Sequence, residues 1–181
     1  MLQVAAFLRG MNLGRRRISN AELRRHVEAL GFVDVATFRA SGNVILTAPE
    51  DDALDAVARR LEAGLSEALV YDVPVFARSA EQVRAIAALE PFGADELAAS
   101  KGKPQVMLLR AAPNAAARRA ALALAPDGDC FVFAADELHW LPAAGLSDTT
   151  LDLKALSKVV GHGTVRTKGT IELIASKHFA S

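Results

Sequence analysis

The densest polar chemistry in this sequence lies in one short segment, Arg9-Gly10-Met11-Asn12-Leu13-Gly14-Arg15-Arg16-Arg17. Guanidinium groups are planar, permanently charged donors that match phosphate and carboxylate oxygens. Gly10 and Gly14 permit positive φ and let backbone amides approach a ligand. A helix starting just downstream adds positive potential at its N-terminus. Together these parts suit an anion. The pattern is neither a phosphate-binding P-loop nor a dinucleotide fingerprint. The plain alternative is a surface loop whose arginines pair with acidic residues elsewhere.

Two further segments carry similar chemistry. Ser41-Gly42-Asn43 offers side chains that both donate and accept hydrogen bonds, although the same residues are ordinary turn formers. Thr164-Val165-Arg166-Thr167-Lys168-Gly169-Thr170 precedes the last helix, where hydroxyls and cations can receive an anion or simply cap the helix. The combined expectation is one electropositive cleft. Arg9 and Arg166 contact the anion, with Gly10 and Gly14 lending amides. Asn12, Ser41 and Asn43 orient it, Thr170 adds a hydroxyl, and Arg15, Arg16 and Arg17 steer its approach. Catalytic groupings are sparse. Cys130 reads as a small core residue and His139 as structural. His26, His162 and His178 lack metal-ligand spacing. No metal or cofactor is indicated, and whether the protein catalyses anything is left open.

The elements that would position these residues follow from periodicity. Residues 2–8 read as a strand, and 20–30 as a helix opened by a Ser19/Glu22 capping box and closed by Gly31. Residues 33–40 and 44–47 form a hairpin. Pro49-Glu50-Asp51-Asp52 is expected to form the acidic first turn of a helix whose buried stripe is Leu54, Val57, Ala58, Leu61 and Leu65. Residues 72–78 form a strand, and Pro74 within it demands an edge position. This order is the split βαβ arrangement of ferredoxin-like domains. The second half rhymes with the first: a strand at 105–110, a helix at 113–124, a hairpin at 130–134 and 137–141, and helices at 150–160 and 170–176. Residues 93–103 read as a loop.

The predicted class is therefore α+β, with two ferredoxin-like halves built on largely antiparallel sheets. They are placed at 1–78 and 104–181, joined by a connecting helix and loop at 79–103. The sheet face carrying Ala5 and Phe7, with Phe38 and Phe76 beside them, is expected to be covered, because each aromatic ring buries about 150–250 Å².

Composition narrows the class further. Hydrophobic residues make up 51% of the 181, enough for a core, so a disordered chain is excluded. No apolar run spans a membrane, and the N-terminus does not read as a signal peptide. With one cysteine, a cytosolic location fits. Net charge is zero yet segregated by segment. Residues 1–48 hold seven Lys/Arg against three Asp/Glu, 49–100 hold four against eleven, and 101–181 hold ten against seven. Neutrality excludes a whole-surface nucleic-acid binder and leaves room for a local basic patch.

Leu8-Arg9-Gly10-Met11-Asn12-Leu13-Gly14, Ala21-Glu22-Leu23-Arg24, Leu30-Gly31-Phe32 and Ser41-Gly42-Asn43-Val44 together resemble the domain of unknown function 1697 family. Leu141-Pro142-Ala143-Ala144-Gly145-Leu146-Ser147 is similar to that family's Pro-x-Gly…Ser segment. Thr164, Arg166 and Thr170 match a Thr-x-Arg-Asn-Trp-x-Thr pattern, with Thr167 and Lys168 where the family has Asn and Trp. The resemblance implies a two-part α/β fold with ferredoxin-like character, and it implies no activity. The resulting expectation is a cytosolic binder of a phosphate-bearing small molecule or nucleic-acid backbone. The alternatives are a homodimeric interaction module and an enzyme acting on a phosphorylated metabolite.

Overall fold

A computed structural model describes residues 1–11, 14, 17–39 and 42–180. The chain forms two compact units, one built from Met1–Ile86 with Leu173–Ser181 and one from Ala87–Glu172.

The first unit runs β1 (Leu2–Leu8), α1 (Asn20–Ala29), β2 (Val33–Thr37), β3 (Asn43–Ala48), α2 (Leu54–Leu69), β4 (Val75–Ser79) and all but the last two residues of α3 (Ala80–Ala88). Its sheet has the antiparallel order β2-β3-β1-β4. Strand alternation sends Val4, Ala6 and Leu8 of β1, Val44 and Leu46 of β3, and Val75 and Ala77 of β4 to one face. There they pack with Leu23 and Val27 of α1 and with Val57, Leu61 and Leu65 of α2. The opposite face carries Ala5, Phe7, Asn43, Ile45, Thr47, Phe76 and Arg78, all buried, so the aromatic face is covered as expected. Phe38 is half-buried.

The second unit contains α4 (Ala94–Ala99), β5 (Gln105–Leu109), α5 (Ala115–Leu122), β6 (Cys130–Ala134), β7 (Glu137–Leu141), α6 (Leu153–Val160) and β8 (Gly163–Thr167). The last helix, α7 (Lys168–His178), begins in the second unit, and its final turns are counted with the first. The second sheet has the order β6-β7-β5-β8, which repeats the first sheet position for position. Both are ferredoxin-like. Met107, Leu109, Leu138 and Trp140 form its core with Ala121 of α5 and Leu156 and Val160 of α6.

Several boundaries differ from expectation. The acidic run at 50–52 is not helical: the Asp52 amide donates to the Pro49 carbonyl in a turn, and α2 starts at Leu54, where the apolar stripe begins. Pro74 precedes β4 rather than lying within it, and β4 is an edge strand. β2 stops at Thr37 and is interrupted by a bulge between Val33 and Ala36, with Asp34 at φ 51°. Residues 94–99, expected as loop, are helical, and Gly163–Thr167, to which the sequence pattern assigned no element, is a strand paired with β5. Cys130 is half-buried on an edge strand rather than in the core. No helix among the described residues is long and apolar enough to cross a membrane.

Candidate functional site

The arginine loop leaves β1 held on both sides. The Leu8 amide donates to the Gly42 carbonyl at 2.8 Å, and the Arg9 amide donates to the Pro74 carbonyl at 2.9 Å. Gly10 then turns the chain at φ 76°. Met11 is 8% exposed and belongs to the core, and Ile18 packs against the same core at the far end of the loop. These two apolar anchors offset part of the entropy of holding a long strand-to-helix connection. Gly14 sits exposed at φ 57° with open space around it, and Arg17 is exposed. Asn12, Arg15, Arg16 and Ser41 lie outside the described residues.

The hairpin turn meets this loop at its root. Gly42 has φ 74°, and a Cβ there would sit 2.8 Å from Met11 Cγ and 3.3 Å from the Leu8 carbonyl oxygen. Only glycine fits. Asn43 is 1% exposed, and its Nδ2 donates to the Phe38 carbonyl at 2.9 Å. The Phe38 amide donates back to the Asn43 carbonyl, also at 2.9 Å. Asn43 therefore closes the hairpin as well as lying beside the loop.

That closure presents Phe38, which sequence reading assigned only to packing. The Arg39 guanidinium carbon and the Lys177 Nζ each lie 5.5 Å from its ring centroid, and the His178 ring meets it edge-on at 6.0 Å. A ring face attracts cations through its quadrupole, so Phe38 gathers basic groups from the hairpin and from the end of α7. Arg39 reaches its place at φ 58°, a strained value for a non-glycine residue. Lys177 and His178 are distant in sequence from the loop and belong to no motif, so no pattern in the chain marks them.

Arg166 and Thr170 lie in the second unit, where both make local bonds. Arg166 Nη1 donates to Thr164 Oγ1 at 2.8 Å and to the Val165 carbonyl at 2.9 Å. Burial pushes the Arg166 pKa down to about 10, so the group stays charged at neutral pH. Thr167 and Thr170 hydroxyls are hydrogen-bonded at 2.9 Å, and the Thr170 amide donates to Thr167 Oγ1 at 3.3 Å, capping α7. The first unit repeats the device. Arg78 Nη1 donates to the Ala77 carbonyl, and Ser79 exchanges hydrogen bonds with Gln82 at the start of α3. Strand, arginine, hydroxyl and helix recur in both units, which gives Arg166 and Thr170 a part in the fold. The matching signal is Ala77-Arg78-Ser79-Ala80 against Val165-Arg166-Thr167-Lys168.

Among the described residues no group of His, Cys, Asp or Glu is arranged to hold a metal ion. His139 is buried at 1% exposure. Burial and the nearby Lys168 charge lower its pKa, so it is neutral at pH 7. Burial works to lower Lys168 as well, but its bonds to Glu90 and Glu172 outweigh that and hold its pKa above the ordinary value.

A family model described as protein of unknown function (DUF1697) matches residues 1–139, a span that ends before Thr164, Arg166 and Thr170. The conserved bacterial protein SP0830 from Streptococcus pneumoniae has a similar structure, with a TM-score of 0.73, 19% sequence identity and 99% of each chain covered. At that identity the likeness concerns the fold. No curated protein matches.

Proposed function

This chain belongs to the family described as protein of unknown function (DUF1697), and we propose, from what its own residues hold, that it binds the phosphate groups of a nucleotide or a nucleic-acid backbone at the Arg9 end of the first unit. The observation that carries this reading is the set of basic groups gathered around Phe38, on the hairpin whose Gly42 carbonyl holds the root of the arginine loop. Cations held beside a ring are already assembled, so an incoming phosphate meets them at reduced entropic cost. Gly10 and Gly14 supply amides at positive φ. Hydrogen bonds to a charged phosphate contribute about 1.5–3 kcal/mol each, enough for two or three to hold a small ligand. The reading takes the protein to be cytosolic, consistent with a single unpaired cysteine.

Titration with a nucleoside triphosphate and with a short single-stranded RNA, each at two salt concentrations, tests it. For RNA engaging roughly four phosphates, affinity falls on the order of fiftyfold between 50 and 200 mM salt. Lys177→Ala, on an exposed side chain, weakens both ligands and flattens the salt slope. Salt-insensitive binding, or none to either ligand, rejects the reading.

A second reading rests on β6. It is a sheet edge, its sequence Cys-Phe-Val-Phe-Ala has no charge or proline, and all five residues are half-buried. Such an edge is a template for strand pairing, which is how a homodimer would form. Light scattering at micromolar concentration distinguishes a dimer from a monomer, and Val132→Lys would dissociate the dimer.

A further inference from the structure

We propose that the first unit carries a second site, a cleft at the opposite end of β1 from the arginine loop, that takes a small molecule bearing a protonated amine beside hydroxyl or amide groups. The cleft has a volume of about 460 Å³, and its lining includes Gln3, Asp34, Thr47, Ser79, Glu81 and Arg84. That size falls within the roughly 300–1,000 Å³ of small-molecule pockets.

Thr47 supplies the first argument. It is 7% exposed, it lines the cleft, and its hydroxyl has no hydrogen-bond partner among the described residues. The hydroxyl faces the cleft and keeps contact with solvent there, so a ligand entering the cleft can take the place of water on it. The strand register pairs Gln3 with Thr47, so both side chains stand on the same sheet face. The Gln3 amide is likewise unpartnered among the described residues. A hydroxyl and an amide, each able to donate and accept, select a polyol or amide rather than a hydrocarbon.

Charge supplies the second. Asp34 sits at the bulge in β2 with φ 51°, a left-handed conformation that re-aims a strand side chain. Neither Asp34 nor Glu81 has an ion-pair partner among the described residues. The Arg84 guanidinium donates to the Phe179 carbonyl at 3.2 Å, and the Met1 ammonium is paired with Glu50 at 3.0 Å. The lining is thus left with two carboxylates against one guanidinium. A phosphate or carboxylate would be repelled, and a neutral sugar would leave both carboxylates unmatched. A cation carrying hydrogen-bonding groups answers both demands.

The test uses the full chain and follows backbone amide NMR shifts. Glucosamine is the probe, and N-acetylglucosamine is its uncharged counterpart with the same ring hydroxyls. Glucosamine is expected to give saturable shifts at Gln3, Thr47 and Glu81 in the millimolar range, with N-acetylglucosamine weaker by about tenfold. Thr47→Val is expected to abolish these shifts while the thermal midpoint changes little, because the hydroxyl bonds no protein group among the described residues. Glu81→Gln, on an exposed side chain, weakens glucosamine and leaves N-acetylglucosamine unchanged. Equal binding of the two sugars overturns the amine assignment. Absence of saturable shifts with glucosamine and with agmatine overturns the site.

Discussion

At Gly42 a single hydrogen atom stands where any side chain would meet Met11 Cγ at 2.8 Å and crowd Leu8 at the end of β1. Its φ of 74° costs an L-residue roughly 1–2 kcal/mol, and a Cβ would also press on Leu8 Cβ at 3.1 Å and the Leu8 carbonyl at 3.3 Å. Gly42→Ala is therefore expected to destabilise by more than Gly14→Ala. Gly14 shares the left-handed φ but has open space, so it bears only the conformational part. Denaturant midpoints of the two variants separate the terms, and equal losses would show that the contact with Leu8 is inconsequential. The type of Gly42 was legible in the sequence as turn chemistry. The role of Asn43 was legible only in part, because its bond to Phe38 depends on hairpin closure. His139 makes a different point. It is buried, and its Nε2 has no partner among the described residues. Its folded pKa is lowered, first by burial and then by Lys168. The unfolded chain takes up a proton near pH 6.5 and the folded chain does not. Its contribution is thus complete above about pH 6.5 and declines as pH falls below that value, at up to about 1.4 kcal/mol per pH unit. Urea midpoints between about pH 7.5 and 5.5 should fall for the natural chain and fall less for His139→Leu; parallel curves would remove His139 as the cause.

Elements whose local chemistry and long-range packing agree were readable from the chain. α1 is the clearest case. Ser19 and Glu22 form the reciprocal capping box, Leu23 and Val27 face the core, and Leu30 and Gly31 close the helix. β6 and β7 fall where alternation places them. Elements that tertiary pairing creates were not readable. Gly163-Thr164-Val165-Arg166-Thr167 has three β-branched strand formers, but a glycine and an arginine interrupt their pattern, and it becomes β8 because β5 offers an edge. α4 has only six residues and hides behind Pro91 and Gly93. The acidic run at 50–52 has helix-start composition, but Leu54 begins the apolar stripe, so packing set the boundary. In the second unit a loop carboxylate fastens two elements: Asp129 accepts from Trp140 Nε1 at 2.7 Å and from the Ala143 amide at 2.8 Å. Asp129→Ala leaves both donors unmatched and is expected to cost about 1.5–3 kcal/mol. Trp140 is the sole tryptophan, so its fluorescence reports the change directly. Unaltered emission and stability would show that water replaces the carboxylate.

Taken as a whole, the molecule removes the charge asymmetry that the linear sequence displays. The first unit holds twelve Lys/Arg against eleven Asp/Glu and the second nine against ten. Neither unit projects a strong field, so recognition of an anion rests on local assembly such as that around Phe38 rather than on long-range attraction. The same folding logic joins distant segments. Leu173–Ser181 belongs to the first unit although 86 intervening residues form the second. Phe179 is 2% exposed, its carbonyl accepts from Arg84, and the neighbouring Lys177 and His178 meet Phe38. The C-terminal segment is thus part of the first unit's structure and of its proposed site together. Phe179→Ala is expected to cost about 3–5 kcal/mol, with amide exchange accelerated in β1 and α3. A chain ending at residue 172 should lose the same protection and, with it, phosphate binding, while Lys177→Ala loses binding alone. If β1 in the shortened chain exchanged as slowly as in the full one, Met1–Ile86 would be self-sufficient, and the segment would matter only for the ligand.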